Sequence, residues 1–418
     1  LASYWETRGL QTSWRPQIGL NGQAGRQGTA ARINQFAQAN TDSLSLGAEV
    51  SQLLYSDRLT SQIRAQRHVE VATAFDLESV RLDAIETAGL AYIDALLSEA
   101  VYRIEQENVT LTIQNLNLAK TRSAIGAADS SEVFRWRASL AQAKSQLIQS
   151  DSNRENARVA LNVSMAQERT MNWALQDIKL VGDEDYYFMR DTLRTLLTNL
   201  REWESYQGFV KAQAITRSPE LKALEKSLEA QGVLLAERGR RNFLPEVRMS
   251  ASLQRFLTET ERKFDDQADW TVGIGFTIPL FEGGQRRTET ERLKAVIAQL
   301  SAQRDKALFL VEQRALSGIY NASASHPGLR LRRQSLVASQ MNYDSVQAKY
   351  SLGAAPILDL LDAQSQLIQE KRAEKSAKYQ YLKDIISIQR SMAWFEFSKT
   401  QEEKAVWIKL LKAHVKKS

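Results

Sequence analysis

Between residues 269 and 281 the chain alternates with period two. Trp270, Val272, Ile274, Phe276, Ile278 and Leu280 fall on one side and Thr271, Gly273, Gly275 and Thr277 on the other, as in a strand with one oily and one polar face. The same alternation runs through Leu44, Leu46, Ala48 and Val50, through Val247, Met249, Ala251 and Leu253, and more weakly through Ile18 and Leu20. Strands are therefore expected at about 16–26, 42–54, 245–256 and 269–281. Elsewhere the apolar period lengthens to that of a helix. Residues 57–125 hold no proline, and at about 1.5 Å per residue they predict roughly 100 Å of helix. A second long helix, expected at about 285–352, carries Leu293, Val296, Ile297 and Leu300 as an apolar stripe among charges, as in a coiled-coil wall. Pro327 within it predicts a kink or a break.

These elements come in two copies. "WRPQIGLNGQAGRQ" at 14–27 aligns with "FLPEVRMSASLQRF" at 243–256, and "LLYSDR" at 53–58 with "PLFEGG" at 279–284. "IGAADSSEVFRWRASLAQ" at 125–142 aligns with "LGAAPILDLLDAQSQLIQ" at 352–369. Three landmarks in one order and at nearly constant separation mark a tandem duplication. The first repeat occupies 1–165 and ends in a return helix at about 129–165. The second occupies 214–398, with a helix at about 219–241 before its strands and a return helix at about 357–398. Fewer helical residues precede Pro16 than precede Pro245, so the first helix is read as truncated. Residues 166–213, with Trp173, Tyr186, Tyr187, Trp203 and Tyr206, interrupt the symmetry as an insert. Residues 399–418 form a basic amphipathic tail, open to packing on that insert, to lying loose or to binding a membrane surface. Polar loops at about 28–41 and 257–269 join the two strands of each repeat.

Composition removes several function classes. The net charge is +6 and the pI near 9.3, but lysines and arginines are interleaved with acids along the helical tracts, so no nucleic acid partner is expected. There is no cysteine, which excludes disulfides and thiolate metal sites. No run of eighteen apolar residues exists, so no transmembrane helix is expected. His68, His326 and His414 are scattered, and neither an HExxH spacing nor a GxxxxGK loop occurs. The expectation is no enzyme and no cofactor.

The strands themselves admit two readings. A small antiparallel sheet half buried on a soluble coiled-coil scaffold has the same period, and such a scaffold is basic enough to take an acidic partner. Strands of ten to twelve residues also suit a tilted bilayer crossing, with the oily face in lipid and the Ser/Thr/Gly face on water. Four strands cannot close a barrel, and an open edge in lipid leaves backbone groups unpaired at several kcal/mol each, so this reading requires more than one copy and leads to a pore. Detergent dependence separates the two.

The duplicated plan, "RNFLPEVRMSASL" leading into a strand, "IPLFEGGQ" at a strand-to-helix junction and "YSLGAAPILDLLDAQSQL" together resemble the TolC-like outer membrane efflux proteins, over nearly the whole chain. The resemblance implies a mainly α fold with a membrane β-barrel portion. Three copies would build one barrel of twelve strands in outer membrane lipid, continuing into a periplasmic α-helical tunnel. It further implies an exit duct that passively serves a tripartite efflux or type I secretion system. The implied partners are a periplasmic adaptor (membrane fusion) protein and an inner membrane pump, and the insert and tail would belt the tunnel.

The resemblance also assigns residues. Asp359 and Asp362 would face the narrowing bore near its periplasmic tip as two stacked carboxylate rings. Like charges several ångströms apart repel by about 1–3 kcal/mol per pair at an effective dielectric of about 20–40, so such rings attract cations and oppose closure. Acids in a first helical turn also have a plain role, complementing the helix dipole. Tyr350 would bond across to Glu132, while Ala355 stands where better-known relatives carry an arginine latch. Arg135 stands where Asp362 stands in the other repeat and is free to pair with an acid of a neighbouring helix. Gly126, Ala127, Ala128, Gly353, Ala354, Ala355 and Pro356 form the two corners, read as tight helix reversals and, by resemblance, as the docking surface for adaptor hairpins.

Overall fold

In a computed structural model, residues 1–27, 41–178, 200–240, 243–259 and 268–417 are described. Tyr186, Tyr187 and most of the two expected strand-joining loops lie outside these residues. The order is α1 (Ala2–Thr12), β1 (Gln17–Gln27), β2 (Thr41–Tyr55), α2 (Asp57–Ala124), α3 (Ser130–Ser164), α4 (Leu200–Arg217) and α5 (Pro219–Arg240). It continues with β3 (Glu246–Glu259), β4 (Asp269–Thr277), α6 (Gln285–Ser351), α7 (Ile357–Ser391), a 3-10 turn (Glu396–Ser398) and α8 (Gln401–Lys417).

Three expectations need correction. β4 ends at Thr277, so Ile278 and Leu280 are not strand residues. Its last pair is Glu246 with Thr277, and Pro245 and Pro279 lie just beyond; neither has an N–H to continue the ladder. Of the kink or break expected at Pro327, the break does not occur: α6 continues through it, the missing hydrogen bond being one in a helix of 67 residues held by packing, as at Leu329 two residues on. α7 stops at Ser391, where Ala393 takes a left-handed φ of 49° and redirects the chain.

The chain divides into two compact units, Leu1–Leu77 with Glu220–Ala307, and Glu78–Pro219 with Leu308–Ser418. Each unit draws on both repeats. The first holds the sheet, antiparallel in the order β1-β2-β3-β4, so that β2 and β3 join the repeats. Its register aligns the alternation of all four strands. Ile18, Val50, Ala251 and Val272 form one cross-strand row, and Leu20, Ala48, Leu253 and Trp270 the next. On the other face Gly19, Glu49, Ser252 and Thr271 align, as do Gln17, Ser51, Ser250 and Gly273. Neither face is covered along β4, where Trp270, Ile274 and Phe276 are 72%, 69% and 74% exposed. A half-buried soluble sheet would hide one of them.

The helices of this unit are tied by polar contacts. Arg240 pairs with Asp57 at 3.2 Å, Thr7 Oγ1 donates to Glu70 at 3.0 Å, and His68 meets Glu229 at 2.9 Å. The two strand-to-helix junctions use different devices. Buried Ser56 accepts from the Leu59 N–H at 3.2 Å to start α2, whereas Gly283 and Gly284, at φ 58° and 86°, make the turn into α6.

In the second unit α7 lies between α2 and α6. Its cations meet α2 acids in Arg390–Asp83 (2.6 Å), Lys383–Asp94, Arg372–Glu105 (2.5 Å) and Lys371–Glu107. Its acids meet α6 cations in Arg332–Glu370 and Arg333–Glu374, both 3.4 Å. This pairing is where much of the interleaved charge goes. Glycine sets the closest approaches: a Cβ on Gly89 or Gly318 would lie 2.9 or 3.0 Å from Ile386 or Ile388. The basic C-terminal stretch is not a loose tail. As α8 it packs on α4, with Trp407 stacked on Trp394 (5.3 Å) and edge-on to Phe209 (5.4 Å).

Candidate functional site at the helix corners

The two corners join α2 to α3 and α6 to α7, all within the second unit. Each closes by the same backbone scheme. Gly126 has φ 72°, and the Ala127 N–H donates to the Arg122 carbonyl at 2.8 Å. Gly353 has φ 78°, and the Ala354 N–H donates to the Lys349 carbonyl at 2.8 Å. These are glycine helix stops in which the last carbonyls of each long helix find donors in the corner itself. The return helices start differently. Asp129 caps α3, its carboxylate accepting from the Ser131 N–H at 2.7 Å; these bonds hold it below the usual aspartate range. Pro356 occupies the corresponding place before α7 and offers no side-chain cap.

Beneath the corners lies a shared core. Trp136 of α3 and Leu360, Ala363 and Leu367 of α7 pack with Leu116 and Ala119 of α2 and Tyr343 and Tyr350 of α6. Trp136 and Tyr350 are 0% exposed. A buried polar layer runs beside it. Gln364 donates to Thr112 at 2.8 Å and to Asn108 at 3.0 Å, and accepts from Asn115 at 2.8 Å; Asn115 also donates to the Tyr343 hydroxyl at 3.2 Å.

Of the predicted residues, Tyr350 and Glu132 are brought together, the phenol donating to Glu132 Oε2 at 2.6 Å. Burial, and then the adjacent Glu132 carboxylate, push the Tyr350 hydroxyl up to about 12. Asp359, Asp362 and Arg135 are exposed on their helices and, among the described residues, have no ion-pair partner within the chain. Arg135 lines a groove of about 590 Å³ between α3 and α7, with Asn108, Gln142, Gln364, Gln369 and Arg372. Gly126, Ala127, Gly353, Ala354 and Pro356 are exposed; Ala128 and Ala355 are half-buried, Ala355 against the core.

Two features escaped sequence reasoning. Arg122 lies over the Tyr350 ring, 4.3 Å from its centroid, and donates to the Tyr350 carbonyl and to the Ala127 carbonyl (3.3 Å), so one α2 side chain ties both corners. Its signal was a cation in a last helical turn, aligned with Lys349 of the other repeat. Ile125 and Leu352, equivalent positions at the two corners, are 74% and 84% exposed. Apolar residues at both reversals were legible as a pattern that solvent-facing turns do not need.

Among the described residues no cluster of three or more His, Asp or Glu is placed to hold a metal ion, and no helix is long and apolar enough to cross a membrane. Compared with known proteins, residues 8–167 and 210–393 match the family described as outer membrane efflux protein. The chain is 22% identical over 396 residues to outer membrane protein TolC of Salmonella enteritidis, covering 88% of this chain and 77% of the relative. It is 22% identical over 360 residues to outer membrane efflux protein BepC of Brucella suis, covering 86% and 72%. The solved outer-membrane channel OprN superposes with a TM-score of 0.75 at 18% identity, covering 95% of this chain and 85% of that one.

Proposed function

The chain belongs to the outer membrane efflux protein family, and from that premise we propose that three copies close their four-stranded sheets into one barrel of twelve strands above a periplasmic helical tunnel. The protein is a non-catalytic outer-membrane channel whose helical part extends into the periplasm. One observation carries the closure: a single-layer sheet whose rows are apolar on one face and polar on the other, with β1 and β4 each paired on one side only among the described residues. Moving a large apolar side chain such as Ile274 or Phe276 out of water is worth about 1.5–3 kcal/mol. Leaving the outer N–H and C=O groups of β1 and β4 unpaired in hydrocarbon costs several kcal/mol each. Lipid on the oily face and strand pairing between copies meet both demands at once. The polar rows then line water.

The duct is passive, its energy coming from a partner. An inner membrane pump and a periplasmic adaptor are the partners this reading takes, with the exposed corner residues Ile125, Gly126, Ala127, Leu352, Gly353, Ala354 and Pro356, and the half-buried Ala128 and Ala355 beside them, as the adaptor surface. Two observations support docking there: the apolar pair is uncovered, and small residues leave room for a helical hairpin. Asp359 and Asp362 form the constriction, with Tyr350, Glu132 and Arg135 around it.

Detergent-extracted protein should run as a heat-modifiable trimer and give discrete single-channel conductance in planar bilayers. Water-soluble monomers without conductance would refute the duct. A bulky residue at Ala127 or Ala354 should block adaptor crosslinking while trimers persist; unchanged crosslinking would remove docking from the corners.

A further inference from the structure

We infer that α6 of one copy packs on α3 of the next, in the register in which α2 packs on α7 within each chain. This seam between copies is held by apolar and amide side chains, where the seam within the chain is held by ion pairs. The inference rests on the trimer proposed above and names the faces that meet in it.

Counted back from the matched corner glycines Gly126 and Gly353, α2 and α6 are equivalent helices of 68 and 67 residues. Counted forward, α3 and α7 are equivalent helices of 35 residues each. Within the second unit α2 meets α7 across the repeats, in pairs such as Arg390–Asp83. The equivalent pairing would join α6 to α3, and away from the corner both faces that it needs are uncovered. On α2, Leu82, Ile93 and Ile104 recur every eleven residues, about three helical turns, and all are buried, Ile93 against Tyr379 and Leu382 of α7. Their equivalents on α6 are Phe309, Tyr320 and Leu331, with the same spacing and each more than half exposed. On α3, exposed Val159 and Val163 stand at the places of Ile386 and Arg390, which meet α2 from α7. A chain that leaves both faces of one pairing in water is completed by a second copy.

The observed α2–α7 pairs, carried over residue by residue, give the composition of that seam. Arg390–Asp83, at 2.6 Å, becomes Val163 with Leu310, both exposed. Lys383–Asp94 becomes Asn156 with Asn321, and Ser387–Glu86, at 3.1 Å, becomes Ala160 with Gln313. The close approach of Ile386 to Gly89 becomes Val159 with Leu316. Every charge is gone from these places. Apolar side chains there gain from being covered, whereas charges that had lost their partners would resist it.

The chain has no cysteine, so paired substitutions test the register directly. Oxidation of the purified trimer should link Val163→Cys with Leu310→Cys between copies, giving covalent dimers and trimers on denaturing gels. Val163→Cys with Tyr320→Cys, about 15 Å out of register along α6, should link about tenfold less. Asp83→Cys with Arg390→Cys should link within one chain and migrate as a monomer. Charge supplies a second readout. Asn156→Lys with Asn321→Lys should lower the temperature at which the trimer dissociates, and Asn156→Lys with Asn321→Asp should return it to the wild-type value or above, because only close positions feel each other's sign. The seam is overturned if the Val163→Cys, Leu310→Cys protein yields monomers alone from an intact heat-modifiable trimer. It is equally overturned if the out-of-register pair links as well, or if the two charge variants dissociate at one temperature. A wild-type chain that forms no trimer overturns the duct, and the seam with it.

Discussion

The corner at Gly126 and the corner at Gly353 have the same backbone and different chemistry. Left-handed glycine, the bond from the following alanine back to the long helix, and the buried face of the return helix are common to both. Cap, exposed charge and core volume are not: Asp129 stands against Pro356, Arg135 against Asp362 and Trp136 against Ala363. What duplication kept is what the reversal physically needs. What diverged is the exposed charge, and the indole of Trp136 on one side of a shared core. A pseudo-symmetric tip thus acquires alternating chemistry without any change of path.

Substitutions can break this comparison. The largest effect belongs to the core asymmetry: Trp136→Ala should cost about 3–5 kcal/mol of tip stability, measured by denaturant unfolding of the purified trimer, because it empties a fully buried site. Tyr350→Phe should follow at about 1.5–3 kcal/mol, since it leaves the Glu132 carboxylate without its 2.6 Å donor. Gly126→Ala and Gly353→Ala should each cost about 1–2 kcal/mol, and nearly equally, because both positions are left-handed and neither has a close obstruction. Unequal penalties would show that the corners are not one device.

The smallest effects come from titration and capping. Tyr350 has a raised folded-state pKa, so its contribution is complete below the free tyrosine value near 10 and is lost as pH rises through about 12. The unfolding free energy of the trimer should fall more across that window in the wild type than in Tyr350→Phe, as measured by denaturant unfolding at each pH. The Asp129 pKa is lowered, so its cap acts above the ordinary carboxylate value and fades as pH falls through the folded value. Asp129→Ala should speed exchange of the Ser131 amide, and Pro356→Ala should change little.

Much of this was legible from period and punctuation. Alternation located the strands because the pleat forces period two, and apolar spacing of helical period over long tracts with few prolines and glycines marked the long helices. The corner residues were legible because they recur in both repeats. Other features depend on tertiary partners. Pro327 reads as a breaker in isolation, yet packing carries α6 across it. Arg122 could not be assigned, because its acceptors are backbone carbonyls, that of Tyr350 belonging to the other repeat, and backbone acceptors leave no mark in a side-chain pattern. The fate of the C-terminal stretch turned on Trp407 meeting Trp394 and Phe209, contacts an amphipathic period cannot distinguish from membrane binding.

The central claim is that the oily rows of the sheet touch lipid and the polar rows touch water in a common lumen. The chain has no cysteine, so single substitutions can be read without background. In the reconstituted trimer, Thr271→Cys and Gly273→Cys should react with a membrane-impermeant thiol reagent and reduce conductance, while Val272→Cys and Ile274→Cys should stay unlabelled. Equal labelling at all four positions, or protection of Thr271→Cys and Gly273→Cys, would contradict it.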